Sequence, residues 1–189
     1  MTYPKASTGA FALAAAAMVA VVALSNYLVQ FPLQGRFAGQ DLSELLTWGA
    51  FTYPLSFLVS DLVNRRFGPG TARRVVYVGF LAAALLSLAI APWRIALASA
   101  SAFLIGQLLD VQLFDRLRRA NWWLPPLVSS GLGSVVDTYV FFALAFAGSG
   151  LPWDTWAHGD LTAKLVCALV FLAPFRVLMS RRDALALAT

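Results

Sequence analysis

The chain is short of the residues that most site chemistry requires. It has one cysteine, Cys167, and one histidine, His158, among 189 residues. A lone cysteine excludes an intrachain disulfide and a thiolate metal cluster, and a lone histidine excludes a histidine-rich metal centre. Cys167 sits in an apolar run and reads as a small buried hydrophobe. Charge is also scarce: 12% of residues are charged, against roughly 25% in an ordinary soluble domain. There is no Gly-x-x-x-x-Gly-Lys-Ser/Thr phosphate loop and no His-Glu-x-x-His. Neither nucleotide hydrolysis by that route nor zinc peptidase chemistry is expected, and no cofactor, metal or catalytic residue is assigned.

What the chain has in excess is apolar sequence, 60% of residues, distributed along its whole length. That distribution predicts an all-α, polytopic membrane protein of one domain, with the lipid bilayer as its solvent. The predicted helices are 9–31, 45–65, 72–91, 94–117, 125–148 and 160–179. The first follows Lys5 and is alanine-rich, as a signal peptide would be. It has the ~20 residues of a spanning helix and reads as retained. Pro54 should kink the second helix, and Gly68-Pro69-Gly70 should turn the chain after it. Pro92 and Trp93 close the third helix, and Pro125-Pro126 open the fifth. The stretch 149–159 reads as a polar, aromatic loop.

The net charge is +5, but its placement argues against nucleic acid, because the arginines lie between apolar runs. With these six helices, Arg36, Arg94 and Lys164 fall on one side and the other 11 of the 14 basic residues on the opposite side. By the positive-inside rule, both termini are expected in the cytoplasm.

Three acids interrupt the spans: Asp61, Asp110 and Asp137. A charge at a helix centre costs ~2.5–3.5 kcal/mol on insertion scales, so each should face the bundle interior. Asp61 has Arg65 at i+4 and Asp110 has several inner arginines within reach of its helix, so ion pairing accounts for either as well as ligand contact does. Asp137 has no base nearby in sequence and favours a ligand role, with Gln107 at similar depth. Ser130, Ser134 and Asp137 share one helical face. Asn26 and Gln30, at i, i+4, share another. Asp160 and Lys164, also i, i+4, read as a helix-stabilising pair. Trp48 reads as an interfacial anchor. Phe141 and Phe142 offer flat surfaces. Carboxylates and carboxamides together suit the N–H edge of a guanine-type heterocycle. Ala98, Ala102 and Gly106 form a small-residue stripe that lets another helix approach. A multi-component importer would use such a stripe to dock its partner subunit. An intramembrane aspartyl enzyme is a remoter reading, since Asp137 lacks an immediately preceding Gly-x-Gly. Helices 2 and 4 carry related inner ends, SDLVNRR and LDVQLFDRLRR, a faint sign of duplication.

Several segments resemble the queuosine precursor transporter family, also called vitamin uptake transporters. They are SNYLVQ (25–30), TWGAF (47–51), SDLVNRRFG (60–68), GQLLDVQLFDRLR (106–118), WWLPP (122–126) and SVVDT (134–138). The resemblance implies six helices in a bacterial inner membrane and uptake of 7-cyano-7-deazaguanine, 7-aminomethyl-7-deazaguanine or both. Family positions map onto Asn26, Gln30, Trp48, Asp61, Gln107, Asp110, Asp137 and Thr138, and onto Asp160 and Lys164. With Ser134 added from the spacing argument and Phe141 as a flat stacking surface, the first eight make the expected substrate-binding set. The chain departs from the family in a very short 91–94 connection and in Asn64. A homo-oligomer is compatible with this reading.

Overall fold

The computed structural model describes residues 3–37 and 39–186. Its helices are α1 (Thr8–Leu28), α2 (Gly49–Thr52), α3 (Leu55–Ile90), α4 (Trp93–Leu117), α5 (Leu124–Phe146), α6 (Trp153–Val170) and α7 (Leu172–Ala186). The expected all-α architecture holds, apart from a two-residue hairpin between α1 and α2, β1 (Arg36–Phe37) and β2 (Gln40–Asp41), followed by a 3-10 turn over Leu42–Glu44. Asp41 caps that turn by accepting from Ser43 N–H and Ser43 Oγ, and these bonds hold its carboxyl below the usual range.

Among the described residues, five helical segments are long and apolar enough to cross a membrane: Thr8–Leu28, Pro69–Ile90, Trp93–Leu117, Leu124–Phe146 and Trp153–Met179. The stretch read as the second span is helical but is built in two pieces, α2 and the part of α3 before Gly68. Leu45 lies outside it. Pro54 marks the join, where Ser56 N–H and Phe57 N–H reach back only three residues, to Tyr53 O (2.9 Å) and Pro54 O (3.1 Å). The tightening follows from proline's missing donor.

At Gly68 the backbone turns left-handed (φ 81°), and Pro69 starts the second limb of α3. This is the expected turn, though helix resumes three residues before the predicted Ala72. Proline suits a first helical position because its absent N–H would have no partner there. Glycine is required at Gly68 on two counts: its φ, and the Tyr3 ring that fills the space a Cβ would take. Tyr3 donates to Asp115 Oδ1 (2.8 Å), and the Arg118 guanidinium lies 4.8 Å from the Tyr3 ring centre. Arg118 also donates to Asn64 O (2.7 Å), Asn64 Oδ1 (2.6 Å) and Arg65 O (3.1 Å). The N-terminal segment, α3 and α4 are thereby latched at the arginine-rich end.

The hydrogen bond to Asp115 holds the Tyr3 hydroxyl above its ordinary pKa of 10.0. A group whose folded value is raised contributes its stability below the unfolded value and loses it as pH rises through the folded one. The latch is therefore expected to be intact at neutral pH and to weaken above pH ~10. Tyr3→Phe should lower stability by about 1 kcal/mol or less, and should remove that alkaline step from the melting temperature measured against pH.

Other boundaries differ from expectation. α1 ends at Leu28, so Gln30 lies beyond the helix rather than on its face. α6 begins at Trp153, not Asp160, and takes in Trp156 and His158, which had read as loop. Pro152 precedes it and Asp154 sits in its first turn, where the helix dipole favours an acid. The expected single helix 160–179 breaks at Phe171, because Pro174 has no N–H to return to Val170 O.

The core lies where α1, α3 and α4 meet, around Met18, Val75, Val76, Phe103 and Val111. α4 and α5 share the most extensive helix–helix contact among the described residues. The stripe Ala98–Ala102–Gly106 is buried within the chain, and Gly106 faces Gly133 and Asp137 of α5. At least at Gly106, the stripe is thus used internally rather than presented to a partner.

Candidate functional site

Two polar clusters are buried in the bundle. The first joins α3, α4 and α5. Ser60 Oγ lies 2.9 Å from Gln107 Oε1 and 3.2 Å from Asp110 Oδ2. Gln107 donates to Ser56 Oγ (2.8 Å), and Ser56 donates to Tyr53 O (2.7 Å). Ser130 Oγ stands between two acids, 3.0 Å from Asp61 Oδ2 and 3.4 Å from Asp110 Oδ1. Asp61 and Asp110 are 2% and 0% exposed, yet neither forms an ion pair among the described residues. Arg65, expected as the partner of Asp61, instead donates to Arg118 O (3.1 Å). Asn64 donates to Val111 O (2.9 Å) and accepts from Arg118, so it ties α3 to α4.

The second cluster joins Tyr53, α5 and α6 around an ammonium group. Lys164 Nζ lies 2.8 Å from Asp137 Oδ2, 2.6 Å from Asp160 Oδ2 and 3.0 Å from Thr138 Oγ1. Tyr53 donates to Asp137 Oδ1 at 2.6 Å, and the ammonium also lies 4.9 Å from the Tyr53 ring centre. Thr138 donates to Asp160 Oδ2 (2.9 Å). Both oxygens of Asp137 are therefore engaged. Asp160 is the more open acid, with a side chain 18% exposed, and its Oδ1 has no hydrogen-bond partner among the described residues. Burying an ion pair is affordable only with such extra hydrogen bonds.

This second cluster forms part of the wall of a cavity of ≈ 510 Å³ at the end of the bundle opposite Arg118. α1, the loop after it, α2, the end of α3, the start of α4, the end of α5 and the start of α6 all contribute. Asn26 and Gln30 lie on one side. Phe141, Phe142, Phe146 and Trp156 supply an aromatic wall, in which Phe146 meets both Phe141 (6.1 Å) and Trp156 (5.6 Å) edge to face. A narrow gap of ≈ 10 Å³, about one water in size, lies deeper and is lined by Asp61, Ser130, Ser134 and Lys164 among others. Lys164 faces both spaces.

The expected site residues therefore divide. Asn26, Gln30, Asp137 and Phe141 line the cavity. Thr138 lies behind it, bonded to Asp160 and Lys164. Asp61, Gln107 and Asp110 belong to the first cluster, and Ser134 lines the gap. Trp48 is 49% exposed and lies outside the cavity lining. Asp160 and Lys164, read from spacing as a helix pair, do pair, but as part of the cavity wall. Tyr53, Phe146, Trp156 and Glu44 also line it and were not expected. A lysine inside an apolar helix was the available signal for Lys164. Tyr53 offered none, since its partner is 84 residues away.

The model of the family described as "Putative vitamin uptake transporter" matches residues 47–92 and 87–179. The chain belongs to the vitamin uptake transporter family. It is 36% identical over 186 residues to a "Probable queuosine precursor transporter" of Haemophilus influenzae, and 37% identical over 180 residues to the "Queuosine precursor transporter" of Escherichia coli K12. In each case the match covers 82% of this chain and 79% of the relative. A Bacillus subtilis relative, also a "Probable queuosine precursor transporter", is 29% identical over 64% of both chains. No solved structure matches. These relatives are named as transporters, and with five apolar helices among the described residues the chain is a multi-pass membrane protein.

Proposed function

We propose that the chain imports queuosine precursors, 7-cyano-7-deazaguanine, 7-aminomethyl-7-deazaguanine or both, across a bacterial inner membrane. α2 and the first limb of α3 form the sixth crossing, both termini are cytoplasmic, and the cavity opens outward. One observation carries the reading: a cavity of ≈ 510 Å³ combines an aromatic wall with a carboxylate–ammonium floor. A planar base stacks on the aromatic faces, and its N–H groups find carboxamide acceptors at Asn26 and Gln30. The narrow gap and the Asp61–Ser130–Asp110 cluster then lie on the inward route. No nucleic acid takes part, and a homo-oligomer is compatible with this arrangement.

The test is uptake of each labelled base by cells that cannot make it, with and without this chain. Chain-dependent accumulation of at least one base is expected. Accumulation of neither removes the assignment. Proteoliposomes containing only this chain should also take up the base, which a subunit of a larger importer would not do.

A further inference from the structure

We infer that the cavity prefers the cationic aminomethyl base to the neutral cyano base, and that Asp160 is the specificity-determining residue. The inference rests on the functional reading above. Charge balance is its first support. Among the described residues, four side chains of Asp, Glu, Lys or Arg line the cavity: Glu44, Asp137, Asp160 and Lys164. Three are acids and one is a base, so the formal charge of the wall is negative. Arg94, which lies at the same end, is turned away, donating to Leu144 O (2.9 Å) and Ala147 O (2.7 Å).

The second support is geometric. Lys164 and Tyr53 together engage both oxygens of Asp137. Lys164 and Thr138 share Asp160 Oδ2, and Oδ1 is left without a partner among the described residues. A primary alkylammonium supplies what that oxygen lacks: a positive charge and N–H donors on a flexible stem. A nitrile has no N–H to give and presents a lone pair to a carboxylate, which is unfavourable. Hydrogen bonds to charged groups are the strong class, and the difference between the two substituents falls on one contact. Glu44, exposed near the mouth, adds to the attraction at longer range.

Binding of the two bases to the purified chain in nanodiscs decides the matter. Wild type should bind the aminomethyl base about tenfold or more tightly than the cyano base. Asp160→Asn should weaken the aminomethyl base by a similar factor and leave the cyano base within about twofold. Glu44→Gln should narrow the preference slightly, and rising salt should narrow it in wild type without any substitution. Equal affinities in wild type, or equal losses for both bases in Asp160→Asn, would overturn the inference while leaving the transport function standing. Equal losses would mean that Asp160 holds the ring edge common to both. Binding of neither base would remove the functional reading and this inference together.

Discussion

Lys164→Met is expected to abolish uptake and to lower the stability of the protein by about 3–5 kcal/mol, the range for removing one partner of a buried ion pair. The expectation is severe because Lys164 serves two acids, and its side chain is only 7% exposed. Without the ammonium, Asp137 and Asp160 stand together, with Tyr53 and Thr138 as their only hydrogen-bond donors among the described residues. Lys164→Arg keeps the charge but brings a planar fork where a compact ammonium meets three oxygens, so partial uptake is expected. The decisive comparison is the double variant Asp137→Asn with Lys164→Met. If the pair is the cause, the double variant melts higher than Lys164→Met alone, and the coupling is read from the cycle. Purely additive losses would show that Lys164 acts through packing instead.

Gly106→Val is expected to destabilise by about 1–3 kcal/mol or more, the range for overpacking a close contact. A Cβ at Gly106 would lie 2.8 Å from Asp137 Cβ and 3.1 Å from Gly133 O. These neighbours are a backbone and the stem of a site residue, and neither can swing aside. Separating α4 from α5 would also pull Asp137 from Lys164 and Tyr53, so uptake should fall along with melting temperature. Gly131→Ala is the control. A Cβ there meets only Leu165 Cδ2, at 3.8 Å, an ordinary contact. If Gly106→Val melts like wild type, the close approach of these helices is not needed.

The framework of this fold was legible because a membrane imposes its rules locally. Long apolar runs, the proline and glycine between them, and the one-sided arginines need no knowledge of the partner helix. Pairings were less legible. Adjacency at i, i+4 offered Arg65 to Asp61, but Arg65 reaches a carbonyl on α4, and Asp61 is met by serines of α5. The same spacing rule gave Asp160 with Lys164 correctly, yet could not say that Asp137 joins them from another helix. Asp61 and Asp110, at the similar inner ends of helices 2 and 4, converge on Ser130 of α5, a meeting that spacing along the sequence does not give. The start of α6 was missed because Trp, His and Gly resemble an interfacial loop in composition. Pro152 and Asp154 are the helix-start signals at that point.

The ion network has a consequence for biogenesis. Asp137 is translated 27 residues before Lys164. When α5 leaves the ribosome, its acid has no counter-ion, and its transfer into lipid carries the full insertion cost of an unpaired carboxylate. α6 brings Lys164, already paired with Asp160 on the same helix. The two helices therefore suit entry as a hairpin, in which Lys164 neutralises the acid of α5 as it passes the translocon. The joining segment, Ala147 to Pro152, is short enough to keep them together while they do so.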